Sequence, residues 1–144
     1  MICVDASVAW KWFYPEEHSH LADELLQTVL ASSEEFIAPP LLPSEITNIA
    51  RQHVRRGLIQ LDEAREILAG FLAMPIALQA PATLYTRSLL LAVERGLPAT
   101  YDAQYLVLSQ LLGATFWTAD ARLVRATSAR MPFVRWIGDY QPDL

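Results

Sequence analysis

Five short apolar or β-rich runs punctuate this chain: Met1 to Val4, Glu35 to Ala38, Pro75 to Leu78, Thr115 to Thr118 and Phe133 to Trp136. Runs this short, with little polar alternation, suit strands buried on both faces, as in a parallel sheet. The intervals between them read as helices, which parallel strands need as crossovers. Ala6 to Tyr14 is stopped by Pro15. Glu16 to Ala31 carries Leu21, Leu25 and Val29 at four-residue spacing. A helical pattern after Pro39-Pro40 runs to Arg56, with Gly57 placed to cap it. Asp62 is expected to cap a helix reaching Ala73. Ala82 to Arg95 is closed by Gly96 and Pro98, Thr100 to Leu112 by Gly113, and a short helix covers Ala121 to Ala126. The order β-α-α-β-α-α-β-α-α-β-α-β predicts an α/β fold, a central parallel sheet of about five strands with helices on both faces. The 144 residues suit a single domain spanning 1–144.

Composition closes several alternatives. An apolar fraction of 53% excludes a disordered chain. One cysteine, Cys3, forms no intramolecular disulfide and reads as a buried, inert thiol. The start lacks a basic stretch, and Asp5 interrupts its apolar run, so no signal peptide is expected. Ile67 to Thr86 is uncharged, but Pro75 and Pro81 break any helix there, so no membrane span is expected and the protein is assigned to the cytoplasm. The net charge of −5 argues against a broadly basic, phosphate-hugging surface.

Ligands of open α/β sheets bind beyond the C-terminal strand ends. Two acids stand there: Asp5 directly after the first strand, and Asp120 two residues after Thr118. Asp102 opens the helix leading into the fourth strand, and Glu45 opens the helix after the second. Four convergent carboxylates repel one another unless cations hold them ionised. Oxygen ligands without nearby Cys or His suit Mg²⁺ or Mn²⁺ rather than Zn²⁺, and such a site serves phosphodiester hydrolysis, where metals activate water and neutralise phosphate charge. Each acid alone also has a structural reading. Asp5 and Asp120 can be helix N-caps, while Glu45 and Asp102 can complement helix dipoles.

Four strings bear on this. Val4-Asp5-Ala6-Ser7-Val8-Ala9 continues through Lys11-Trp12-Phe13 and Pro15-Glu16-Glu17. Pro40-Leu41-Leu42-Pro43-Ser44-Glu45-Ile46-Thr47-Asn48 follows the second strand. Tyr101-Asp102-Ala103-Gln104-Tyr105-Leu106 and Thr118-Ala119-Asp120-Ala121-Arg122-Leu123 complete the series. In order and spacing they resemble the motifs of PIN-domain proteins of the VapC toxin type, from Met1 to the tail. The stretch Gly57 to Thr86 matches in pattern only. The resemblance implies a metal-dependent endoribonuclease, the toxin of a toxin–antitoxin pair, leaving 5′-phosphate and 3′-hydroxyl ends. Asp5, Glu45, Asp102 and Asp120 would be its catalytic and metal-binding quartet, with Ser7, Asn48 and Thr118 in support. It further implies an RNA substrate, a small antitoxin covering the active-site face, and homodimerisation.

Other residues carry weaker signals. Arg122 and Arg125, just past Asp120, are candidates for phosphate contact, as is Arg51, although Arg51 also suits a solvated helix end. His18 and His20 are two apart, point to different sides of a helix and lack a third ligand, so a solvated face is expected. Trp10, Trp12, Phe13 and Tyr14 cannot all face inward, and a partner surface is expected at Trp12, Phe13, Leu41 and Leu42.

Two rivals compete. A phosphoacceptor domain on a flavodoxin-like sheet also gathers acids at strand ends, but the chain's one lysine, Lys11, lies far from the last strand. A non-catalytic RNA-binding or interaction module of the same fold would not need all four acids. Setting the quartet aside leaves eleven basic against twelve acidic residues. The acidity therefore does not exclude a nucleic-acid substrate held through metal ions and a few arginines.

Overall fold

The computed structural model describes residues 1–142. Strands β1 (Ile2–Val4), β2 (Phe36–Ala38), β3 (Ile76–Leu78), β4 (Thr115–Thr118) and β5 (Val134–Trp136) form one sheet in the order β3-β2-β1-β4-β5. Every neighbouring pair is parallel. The crossovers are α1 (Ala6–Ala9, continued by a 3₁₀ turn over Trp10–Trp12), α2 (Ser19–Leu30), α3 (Leu42–Arg55), α4 (Leu61–Leu72), α5 (Leu84–Arg95), α6 (Tyr101–Leu112) and α7 (Ala121–Thr127). No helix among the described residues is long and apolar enough to cross a membrane.

Alternation along the strands divides the core. Cys3, Ile37, Phe116 and Val134 join Leu42, Ile46, Leu84, Tyr105, Leu106 and Leu108 in one cluster. Val4, Phe36 and Trp117 join Ala22, Leu25 and Val29 of α2, with Ile137 and Tyr140, in the other. Cys3 is fully buried, which pushes its thiol up to about 12. Helix α6 is buried from Ala103 through Ser109 and touches α5, β1 and β4. Its hydroxyl-bearing Ser109 is satisfied by the Tyr105 carbonyl at 2.8 Å. A helix held on so many sides fixes the position of its first turn. Its far end closes at Gly113, whose φ of 66° is a left-handed conformation that a Cβ would penalise.

Several helix starts or stops differ from the sequence expectation, α5 for one beginning at Leu84 rather than Ala82. Helix α2 begins at Ser19 rather than Glu16, because His18 adopts a left-handed conformation (φ 64°). Lys11 also holds the preceding turn, donating to Glu16 Oε1 at 3.1 Å and the Glu17 carbonyl at 2.7 Å. The first helix tightens into a 3₁₀ turn at Trp10. Helix α4 is capped by Gln60, not Asp62. Gln60 and Glu63 form a reciprocal capping box, which satisfies two end donors where Asp62 would satisfy one.

Candidate active site

Strand order reverses at β1. The chain steps outward through β2 and β3, then returns across β1 to β4 and β5. The crevice beyond the C-terminal ends of β1 and β4 is thus the sheet's switch point. Asp5 leaves β1 into it and Asp120 enters it just after β4. Both are N-caps as well. Asp5 accepts from Val8 N at 3.3 Å, and Asp120 accepts from Arg122 N at 3.0 Å and Leu123 N at 3.2 Å. Capping uses Oδ1 in each case, so the structural and functional readings coexist.

Two hydroxyls fasten the crevice. Thr118 Oγ1 donates to Asp5 Oδ2 at 2.5 Å and accepts from Asp120 N at 3.1 Å. Ser7 Oγ donates to Asp5 Oδ1 at 2.5 Å and accepts from Ala119 N at 2.8 Å. Each hydroxyl thus ties the end of β1 to the loop after β4 while fixing the orientation of Asp5. Ser7 is not the helix cap, since that place belongs to Asp5.

The other two acids come from helix starts. Glu45 sits in the first turn of α3, which has Pro43 at its opening, and Asp102 in the first turn of α6. Tyr105, one turn beyond Asp102, donates its phenol to Glu45 Oε1 at 2.5 Å, and its ring stacks on Phe116 with centroids 5.7 Å apart. Tyr105 carried no role in the sequence reading. Its three-residue spacing from Asp102 on one helix face was the available signal.

The charges sense one another. Burial raises Asp5 from 3.8 to about 6, against its hydrogen-bond donors, and the Asp102 charge adds to the rise. Burial and the charges of Asp5 and Asp102 push Glu45 up, opposed by Tyr105. Burial and Asp120 push Asp102 up. Burial and the Glu45 charge drive the Tyr105 phenol far upward, so it remains a hydrogen-bond donor. Asp5 is the buried base of the group, Glu45 and Asp120 are half-buried and Asp102 is exposed.

An all-carboxylate set with these upward shifts is the electrostatic situation a hard divalent cation relieves. Among the described residues, no three His, Cys, Asp or Glu stand close enough to ligate one ion as placed. The donor chemistry fits Mg²⁺ or Mn²⁺.

The remaining candidates divide. Arg122 lies 88% exposed, its Nε 3.9 Å from Asp120 Oδ1, and Arg125 is exposed on the same helix. Arg51 is farther along α3, on an apolar groove with Val54, Leu61 and Leu68 rather than on the cleft at Glu45. Asn48 shares that cleft with Glu45. The partner surface expected at Trp12, Phe13, Leu41 and Leu42 is corrected at Leu42 alone. Leu42 is fully buried, and Trp12, Phe13 and Leu41 are half-buried against the core. Trp12 donates its Nε1–H to the Ala22 carbonyl at 2.9 Å, and Phe13 packs edge-on to Phe71. Helix α5 exposes four large apolar residues, Tyr85, Leu89, Leu90 and Val93; others are scattered at Met1, Leu30, Leu58, Leu61, Leu72, Leu78 and Tyr101. His18 does not lie on a solvated face. It is half-buried with its ring edge-on to Trp136 at 5.1 Å.

Comparison with known proteins agrees with this architecture. Residues 2–128 match the family model described as PIN domain. Over 124 residues the chain is 30% identical to Ribonuclease VapC3 of Pyrobaculum aerophilum, covering 85% of this chain and 91% of that protein. The crystal structure of PAE2754 from Pyrobaculum aerophilum is similar with a TM-score of 0.70 at 23% identity, covering 95% of this chain and 90% of that one. Mycobacterium tuberculosis VapC20, described as a sarcin-ricin loop cleaving toxin, gives 0.67 at 16% identity, covering 94% and 99%. These two structural likenesses speak to the fold.

Proposed function

The chain belongs to the PIN-domain family, among its VapC-type members, and from that premise we propose that it is a metal-dependent endoribonuclease, the toxin of a toxin–antitoxin pair. The observation that carries this is the buried Asp5 at the switch point, held by Ser7 and Thr118 and within electrostatic reach of Glu45 and Asp102, with Asp120 beside them. The name of the Pyrobaculum ribonuclease relative supports it.

Asp5, Asp102 and Asp120 would hold Mg²⁺ or Mn²⁺, with Glu45 reaching it directly or through water. A bound divalent ion supplies activation of water and neutralisation of phosphate charge. The chain's own residues do the rest. Ser7 and Thr118 hold both oxygens of Asp5 and favour its ionised form. Tyr105 holds Glu45 in one orientation. Arg122 and Arg125 offer guanidinium groups to the RNA backbone beside Asp120. No side chain need form a covalent bond to the substrate.

The proposed partners are RNA, a small antitoxin protein and a second copy of the chain. The apolar face of α5 supports an association surface, since Val93 is 74% exposed and Leu90 61%. A cytoplasmic site of action accompanies the toxin role. The test is cleavage of structured and unstructured RNA by the pure protein with Mg²⁺, with EDTA, and with Asp5→Asn. Mg²⁺-dependent cleavage lost in both other arms is expected. EDTA-resistant cleavage, or full activity in Asp5→Asn, overturns the mechanism.

A further inference from the structure

Beside the carboxylates lies a cleft of about 490 Å³ lined by Leu41, Ser44, Glu45, Asn48, Ile49 and Tyr101. That size is within the range of small-molecule sites, roughly 300–1,000 Å³. Positions 41, 45, 48 and 49 recur at helical spacing, so one face of α3 and the turn leading into it forms most of the wall. Tyr101 completes it from the first residue of α6. Tyr101 is 61% exposed, and the next residue is Asp102.

The lining suits one kind of occupant. It has no Lys or Arg, and Glu45 gives it negative charge, so it does not suit a phosphate. An open aromatic ring with the aliphatic Leu41 and Ile49 suits a planar, uncharged heterocycle. Ser44 and Asn48 are exposed and offer a hydroxyl and an amide to polar edges. Glu45 belongs to both cleft and carboxylate group, so a nucleotide whose phosphate lies at the carboxylates has its base within reach of this cleft.

We propose that this cleft receives the nucleobase flanking the scissile phosphate, stacked on Tyr101, and that it thereby selects unpaired RNA and sets a base preference at that position. The proposal rests on the ribonuclease reading. A base must leave its helix to enter such a cleft, as is general where proteins read RNA by stacking.

The test is digestion of a random-sequence single-stranded RNA pool with Mg²⁺ by the native protein and by Tyr101→Ala and Tyr101→Phe, with both cut ends sequenced. A defined oligonucleotide is then used with an abasic nucleotide at the preferred position. The native protein is expected to show a base preference at one flanking position. Tyr101→Ala is expected to lose it together with roughly 10- to 100-fold in kcat/KM, while Tyr101→Phe keeps both. The abasic site slows the native enzyme and leaves Tyr101→Ala no slower than before. Native cleavage with an unaltered rate and preference in Tyr101→Ala overturns the stacking site and leaves the ribonuclease standing. The same holds if that variant cuts normally and fails only to bind a partner protein. Absence of any RNA cleavage by the native protein overturns the ribonuclease reading itself, and this proposal with it.

Discussion

Thr118 donates its hydroxyl to Oδ2 of Asp5 at 2.5 Å, joining residues 113 positions apart in the chain. The Thr118 hydroxyl oxygen in turn accepts the backbone N–H of Asp120. One buried hydroxyl thus orients two acids of the candidate site, one through its side chain and the other through its backbone.

Thr118→Val keeps the shape and removes that donor. The Asp5 carboxylate, already raised by burial to about 6, then rises further, because hydrogen bonds to the ionised form lower a pKa. Cleavage at neutral pH is expected to fall about 10- to 100-fold, as for partners that orient metal ligands. The acid limb of the rate–pH profile moves to higher pH. An unshifted limb with full activity contradicts the role given to Thr118.

Asp5 also links stability to pH. Its carboxyl titrates at about 6 in the folded protein against 3.8 ordinarily. The folded state therefore binds more protons between those values, and stability falls as pH rises through that window. By neutral pH the loss is on the order of 3 kcal/mol. Without divalent ions, Tm is expected to be higher at pH 5 than at pH 7. Asp5→Asn raises Tm at pH 7 while abolishing cleavage, and Mg²⁺ stabilises the native protein more than this variant. Differential scanning calorimetry in EDTA and in Mg²⁺ measures all three.

Tyr105→Phe leaves the ring stacked on Phe116 and takes only the phenol from Glu45. Folding survives. Glu45 loses its one orienting donor, so the Mg²⁺ concentration for half-maximal cleavage rises roughly tenfold. A metal titration of activity reads this directly, and an unchanged midpoint would show that Tyr105 only packs.

Helix α5 is the expected contact between copies. Leu89→Glu with Val93→Glu places two charges on side chains 56% and 74% exposed, so the fold is little disturbed. Light scattering is expected to show a dimer for the native protein and a monomer for the double variant. A native monomer at micromolar concentration rules the contact out.

The strand sequence was legible because each strand is a short apolar run, enclosed on both sides in the central β1, β2 and β4, as at Cys3 and Phe116, and open at the edges, as at Leu78 and Arg135. Asp5 and Asp120 were legible for the same reason, being acids at the ends of such runs. Local periodicity says nothing of partners brought by folding. It could not show that Tyr105 bonds to a residue sixty positions away, or which face Trp12 and Phe13 turn. Those rings pack inward because the turn after α1 lies against α2, β2 and α4. Helix ends were misjudged where side chains decide them, as with Gln60 and Glu63 displacing Asp62 from the cap.

The pairing of β1 with β4 has a consequence in time. Ser7 and Thr118 fasten the candidate site only when residues near 118 are laid beside the first five. Synthesis runs from the N-terminus and takes seconds at roughly 5–20 residues per second. For most of that interval a growing chain already carries Asp5, Glu45 and then Asp102, yet has no fourth strand against which to seat them. The proposed cleavage, which depends on this arrangement, would therefore be withheld until the fourth strand has been made, and a fragment ending before residue 115 is expected to be inactive.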